Sequence, residues 1–90
     1  MRTSDEGLFA RFKATGDRAA WVELRRRHTP HILKIVRLRF SDAETVKRII
    51  RRAFRQLESR TIGDGDRAFS FAAYIAVCDA MARENALMPV

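Results

Sequence analysis

The chain has one cysteine, two histidines, two prolines and four glycines in 90 residues. A single cysteine excludes an internal disulfide, and with only His28 and His31 beside it there is no Cys/His metal framework. So few glycines and prolines disfavour a turn-rich β fold and favour long helices. No apolar run approaches the ~20 residues of a membrane span, and no signal-peptide pattern opens the chain. A Gly-rich phosphate loop, a zinc-protease His-Glu motif and a nucleophile elbow are all missing. His28 and His31 stand three apart, but their neighbours on that helical face are Leu24, Arg25, Lys34 and Ile35. None of these is a ligand, and two are cations that repel a metal. Asp64 and Asp66 sit beside glycines and read as turn residues. These absences argue against an enzyme and against a cofactor, metal or small-molecule substrate. They leave a cytoplasmic protein as the expectation. Cys78, in Tyr74-Ile-Ala-Val-Cys-Asp79, is expected to be a small buried apolar residue.

What is present is an apolar share of 47% and a charged share of 32%, the composition of a folding chain. Ninety residues make one domain with a modest core. The net charge of +7 is unevenly spread. Residues 1–60 hold 16 Lys/Arg against 7 Asp/Glu, whereas residues 61–90 hold 2 against 4. A basic front of this kind suggests a polyanionic partner, most often nucleic acid; a solvated basic surface, or one facing an acidic protein, is the plainer alternative.

The periodicity predicts an all-α bundle of four helices. The first starts at the cap Ser4, carries Asp5 and Glu6 in its positive first turn, lines one face with Leu8, Phe9 and Phe12, and stops at Gly16. The second starts at Asp17; Trp21, Leu24, His28, Ile32 and Ile35 share a face, with Arg25, Arg26, Arg27, Lys34 and Arg37 on the others. Pro30 is expected to kink or briefly break it near His28-Thr29. The third opens with Ser41-Asp-Ala-Glu44, which matches a reciprocal capping box with Ser41 as N-cap. Val46, Ile49, Ile50, Ala53, Phe54 and Leu57 form its apolar stripe; Lys47, Arg48, Arg51, Arg52 and Arg55 take the remaining positions. Such cations repel by about a few tenths of a kcal/mol per neighbouring pair, a cost retained more readily where a partner offsets it. Residues 61–66 form a loop. The fourth helix is expected over 67–87, with Phe69, Phe71, Ala72, Tyr74, Ile75, Val77, Cys78 and Met81 spread around most of its circumference. That pattern predicts a central helix or one covered by a partner. Pro89 ends the chain.

Several segments together resemble region 2 of bacterial sigma factors of the extracytoplasmic-function type. Asp5-Glu-Gly-Leu-Phe-Ala-Arg-Phe-Lys-Ala-Thr-Gly-Asp17 is similar to the family's opening helix, and Ala20-Trp-Val-Glu-Leu-Arg-Arg-Arg-His-Thr-Pro30 to its second. Ser41-Asp-Ala-Glu44 and Arg52-Ala-Phe-Arg-Gln-Leu57 resemble the ends of its third, and Phe71-Ala-Ala-Tyr-Ile75 the start of its fourth, with Tyr74 where the family usually has Trp. The resemblance covers nearly the whole chain and implies a helical bundle that contacts RNA polymerase and promoter DNA. Departures from the pattern are equally plain. Lys47-Arg48 stand where the family has a Gln-Glu pair facing the polymerase largest subunit, and like-charge juxtaposition there opposes ordinary docking. Ala80 and Met81 stand at the family's DNA-contacting Arg-Asn positions, leaving Tyr74 and Arg83 as the nucleic-acid groups of that helix. Tyr74 is expected in the core, with base stacking as the alternative. The family's helix-turn-helix domain does not fit in this length, so the resemblance implies a second protein as DNA reader.

Three functions follow. The first is a reduced sigma-like protein that contacts RNA polymerase core, or another transcription protein, and promoter DNA. The second is a repurposed module binding nucleic-acid phosphates without sequence preference through Lys47, Arg48, Arg51, Arg52 and Arg55, with Arg26, Lys34, Arg37, Tyr74 and Arg83 as further contacts. Five phosphates give a salt slope of roughly −4 to −5 on duplex DNA. The third is a sigma mimic that binds an anti-sigma or other acidic protein.

Overall fold

The computed structural model describes residues 3–63, 65 and 67–87. Four helices follow in order: α1 Asp5–Thr15, α2 Arg18–Arg37, α3 Ala43–Ser59 and α4 Ala68–Leu87. They pack into an all-α bundle, and no strand is present among the described residues. Asp64, Asp66 and Pro89, read above as turn and terminal residues, lie outside the described residues.

Local chemistry sets the first two helices. Ser4 Oγ accepts the Gly7 N–H at 3.0 Å and caps α1, with Asp5 and Glu6 in its first turn. Gly16 adopts φ 71°, the left-handed region that glycine enters without a Cβ clash, and its N–H bonds the Phe12 carbonyl. Asp17 then caps α2 by accepting from Ala19 and Ala20 N–H. α2 runs unbroken through Pro30, contrary to the expected break. Proline removes the N–H that would meet the Arg26 carbonyl, but Arg26 and Pro30 both lie on the exposed side. That carbonyl faces solvent, where leaving it without a backbone partner costs little, while Leu24 and Ile32 anchor the helix in the core on either side.

Two further expectations are corrected in α3 and α4. The α3 cap is Asp42, not Ser41: Asp42 Oδ2 accepts both the Thr45 N–H at 2.9 Å and the Thr45 hydroxyl at 2.8 Å. A carboxylate accepts more strongly than a hydroxyl, so the cap moves one residue on, and Glu44 stays exposed instead of closing a box with Ser41. α4 begins after Arg67, which has φ 63°, and its first turn is capped in trans. Glu6 of α1 reaches across with Oε2 to accept the Phe69 N–H at 2.8 Å. α4 is not apolar-buried all round. Phe69, Ala72, Ala73, Ala76, Val77, Ala80 and Met81 are buried, but Phe71 is 68% and Tyr74 55% exposed. The core side of α4 sets four alanines among Phe69, Val77 and Met81, which lets the helix lie close to its neighbours, while Phe71 and Tyr74 turn outward. Cys78 is half-buried and packs against the core edge.

The core centres on Trp21. Phe12 stacks on it at 5.0 Å between ring centroids, and Phe54 meets it edge-on at 6.1 Å. Phe9 bridges this cluster to Phe69 at 5.5 Å. The α3 stripe Val46, Ile49, Ala53, Phe54 and Leu57 is buried as the spacing predicts, with Ile50 at the margin. Cross-pairs set the helix directions. Arg18 meets Glu58, so α2 and α3 run antiparallel; Arg48 meets Glu84, so α3 and α4 do too.

Candidate nucleic-acid interface

The five cations of α3 divide by position on the helix. The buried stripe takes one side, and Lys47, Arg51 and Arg55 follow at four-residue steps on the exposed opposite face. Lys47 has Glu44 at 3.8 Å on the surface; Arg51 and Arg55 have no ion-pair partner among the described residues. Arg48 and Arg52 turn toward α4. Arg52 is half-buried there, whereas Arg48 stays half exposed but is tied to a buried acid.

Arg48 donates to the Glu84 carboxylate through Nε at 3.2 Å and through Nη2, and Glu84 is only 3% exposed. Nη2 also lies 3.4 Å from Thr45 Oγ1, whose hydroxyl donates to Asp42. A continuous polar chain therefore runs from the α3 cap to the end of α4. The hydrogen bond from Arg48 holds the Glu84 carboxyl below its ordinary range despite burial, with the Arg48 and Arg52 charges assisting. The same bond raises Arg48 above its ordinary value. At the α3 cap, hydrogen bonds from the Thr45 hydroxyl and N–H lower Asp42.

The α2 cations are scattered. Arg26 is bound bidentately by Glu23, with Nε 2.9 Å from Oε2, so its charge is largely answered on the spot. Hydrogen bonds from Arg26 and Arg27 take the Glu23 carboxyl down to about 2. Lys34 and Arg37 are exposed and share a shallow cleft with Pro30, Leu33 and Leu38. Arg25, which has no place among the expected site residues, lies over the Phe54 ring at 5.1 Å.

A second polar cluster ties α1 to α2. Asp5 accepts from Arg27 Nη1 at 2.9 Å and lies 2.8 Å from His28 Nε2. Burial works to raise the Asp5 carboxyl, but hydrogen bonds from Arg27 and His28 outweigh it and the net direction is down. His28 packs on the Phe69 ring at 4.9 Å and so serves as an interhelical strut. No group of three His, Cys, Asp or Glu suited to a metal ion occurs among the described residues.

On α4, Tyr74 is exposed beside His31 at the mouth of a small cleft, which corrects its expected core position. Arg83 is exposed and holds Asp79 at 3.3 Å one turn away. Ala80 and Met81 are buried and present nothing to a ligand. The candidate residues thus form no single patch. Lys47, Arg51 and Arg55 form a stripe, while Arg52, Arg55 and Arg83 meet in the cleft between α3 and α4, where Arg60 joins them. Lys34 and Arg37 sit apart on α2, Arg26 is engaged by the neighbouring surface acid Glu23, and Arg48 by the buried Glu84.

Among the described residues no helix is long and apolar enough to cross a membrane. Compared with known protein families, with curated proteins and with solved structures, the chain matches none.

Proposed function

We propose that the chain is a sigma-region-2-like domain acting in transcription in the cytoplasm, and that it engages DNA phosphates through the outer stripe of α3. The observation that carries this reading is the run of Lys47, Arg51 and Arg55 along one exposed helical face, with Glu44 at its start and Glu58, which Arg18 pairs, at its end. A straight row of cations about 6 Å apart along the helix axis suits a phosphate backbone. It supplies positioning contacts and no base readout, so sequence choice falls to a partner, RNA polymerase core or another transcription protein. The chain itself acts as a binding protein, not as an enzyme.

Arg48, half exposed beside this face, is tied to Glu84 and serves the fold first. That assignment eases the charge conflict at the family's Gln-Glu position, because one of the two cations there is answered by Glu84. A second reading, capture of a protein such as an anti-sigma factor, draws on the exposed Phe71 and Tyr74.

A pull-down from native cytosol, with and without nuclease, separates the two. The proposal expects transcription proteins to be retained and DNA to be lost from the Arg51→Glu/Arg55→Glu variant. Retention that survives nuclease and depends on Phe71 and Tyr74, with no DNA bound, supports the second reading and contradicts the first.

A further inference from the structure

The antiparallel seam between α3 and α4 opens into a cleft of about 490 Å³, lined by Arg52, Arg55, Arg60 and Arg83, with Gln56 and Asp79 between them. Volumes of roughly 300–1,000 Å³ are usual for small-ligand sites. The floor is organised. Oriented by its neighbours, the Gln56 amide donates to Asp79 Oδ2 at 3.1 Å and accepts from Arg60 Nη2 at 2.9 Å. Asp79 in turn holds Arg83 at 3.3 Å. Two of the four guanidiniums are therefore tethered, and Arg52 and Arg55 stand over them without an ion-pair partner among the described residues.

We propose that this cleft binds a compact anion carrying a diphosphate group. Four arginines face one carboxylate, which leaves a local excess of three positive charges. A diphosphate brings two to four negative charges into a small volume, matching that excess where a lone chloride or carboxylate does not. All four cations are arginine, whose planar fork grips phosphate oxygens bidentately, and none is lysine. The Arg48–Glu84 pair closes one end of the seam and keeps Glu84 from competing for the cleft arginines. This inference shares Arg55 with the DNA reading, but Arg52, Arg60 and Arg83 lie off the outer stripe, so the Arg52→Gln/Arg83→Gln variant tests the cleft with the stripe intact.

The test is calorimetric titration of the full chain with inorganic pyrophosphate in magnesium-free buffer, with adenosine diphosphate and orthophosphate in parallel. One saturable site is expected, weakened about tenfold or more by Arg52→Gln/Arg83→Gln. Asp79→Asn tightens binding by removing the one repelling charge, an effect that a merely structural role does not produce. Arg51→Gln, outside the cleft, leaves binding within about twofold. Equal affinities for pyrophosphate and adenosine diphosphate assign the ligand to the phosphates alone, and tighter binding of the nucleotide assigns it to a nucleotide. Absence of saturable heat in the folded protein, orthophosphate binding as tightly as pyrophosphate, or an equal loss from Arg51→Gln overturns the proposal.

Discussion

Arg48, a half-exposed member of the five α3 cations, closes on the buried carboxylate of Glu84 across the α3–α4 seam. Removing one partner of such a pair leaves the other polar group unanswered, which costs more than removing both. Arg48→Ala is therefore expected to lower the melting temperature by several degrees, and Arg48→Ala/Glu84→Gln to recover part of the loss. Arg51→Ala, on the outer face, leaves it unchanged. Thermal melts followed by circular dichroism measure all three.

The acid limb of stability follows from the carboxylates. Asp5, Glu23, Asp42 and Glu84 are each held below their ordinary values in the folded chain. A group lowered on folding stabilises the protein above its unfolded value, and that contribution is lost as pH falls through the folded value. Stability is thus expected to hold down to about pH 4.5 and to fall progressively toward pH 2, the lower end set by Glu23. Glu84→Gln flattens this slope. The Glu23 share, being at the surface, fades in high salt. Urea melts at stepped pH, with and without added salt, check both statements.

The position of the α3 cap gives a prediction that separates neighbouring residues. Asp42→Ala removes two hydrogen bonds to Thr45 and loosens the polar chain behind it, lowering the melting temperature by about 5 °C. Ser41→Ala, one residue earlier, changes it by no more than about 2 °C. A larger loss from Ser41 than from Asp42 contradicts the assigned cap.

The aromatic centre is the most sensitive point of the core. Trp21→Ala removes the ring that joins Phe9, Phe12 and Phe54, at a cost of about 3–5 kcal/mol. Domains of this size have only about 5–15 kcal/mol in total, so the variant is expected to be largely unfolded or close to it. Tyr74→Ala, at an exposed position, leaves urea stability nearly unchanged.

Periodicity alone identified Leu8, Phe9 and Phe12 on α1, and Val46, Ile49, Ala53, Phe54 and Leu57 on α3, because each such face meets the core at a fixed helical spacing. Gly16 and Asp17 were equally readable, since stop and cap act within a few residues. What the pattern hid depends on how separate helices meet. Glu6 caps α4 from 63 positions away, a partnership no local pattern contains. The pairing of Arg48 with a buried acid had one visible sign. Glu84 falls four residues after Ala80 and seven after Val77, on the buried side of α4, where an acid must find a cation. Which cation answers it depends on the register of α3 against α4. The alanine-rich inner face of α4 likewise left Phe71 and Tyr74 outside, although apolar residues surround the helix.

The stripe on α3 is tested most directly by the salt dependence of binding to a duplex of arbitrary sequence, followed by fluorescence anisotropy. With Arg48 engaged by Glu84 and Arg52 turned toward α4, three phosphate contacts remain, from Lys47, Arg51 and Arg55. Log affinity is expected to fall against log salt with a slope of roughly −3, in place of the −4 to −5 that five contacts give. Arg51→Glu/Arg55→Glu is expected to abolish binding while the helical signal is retained. No binding by the wild-type chain at low salt, or an unchanged slope in that variant, contradicts the account.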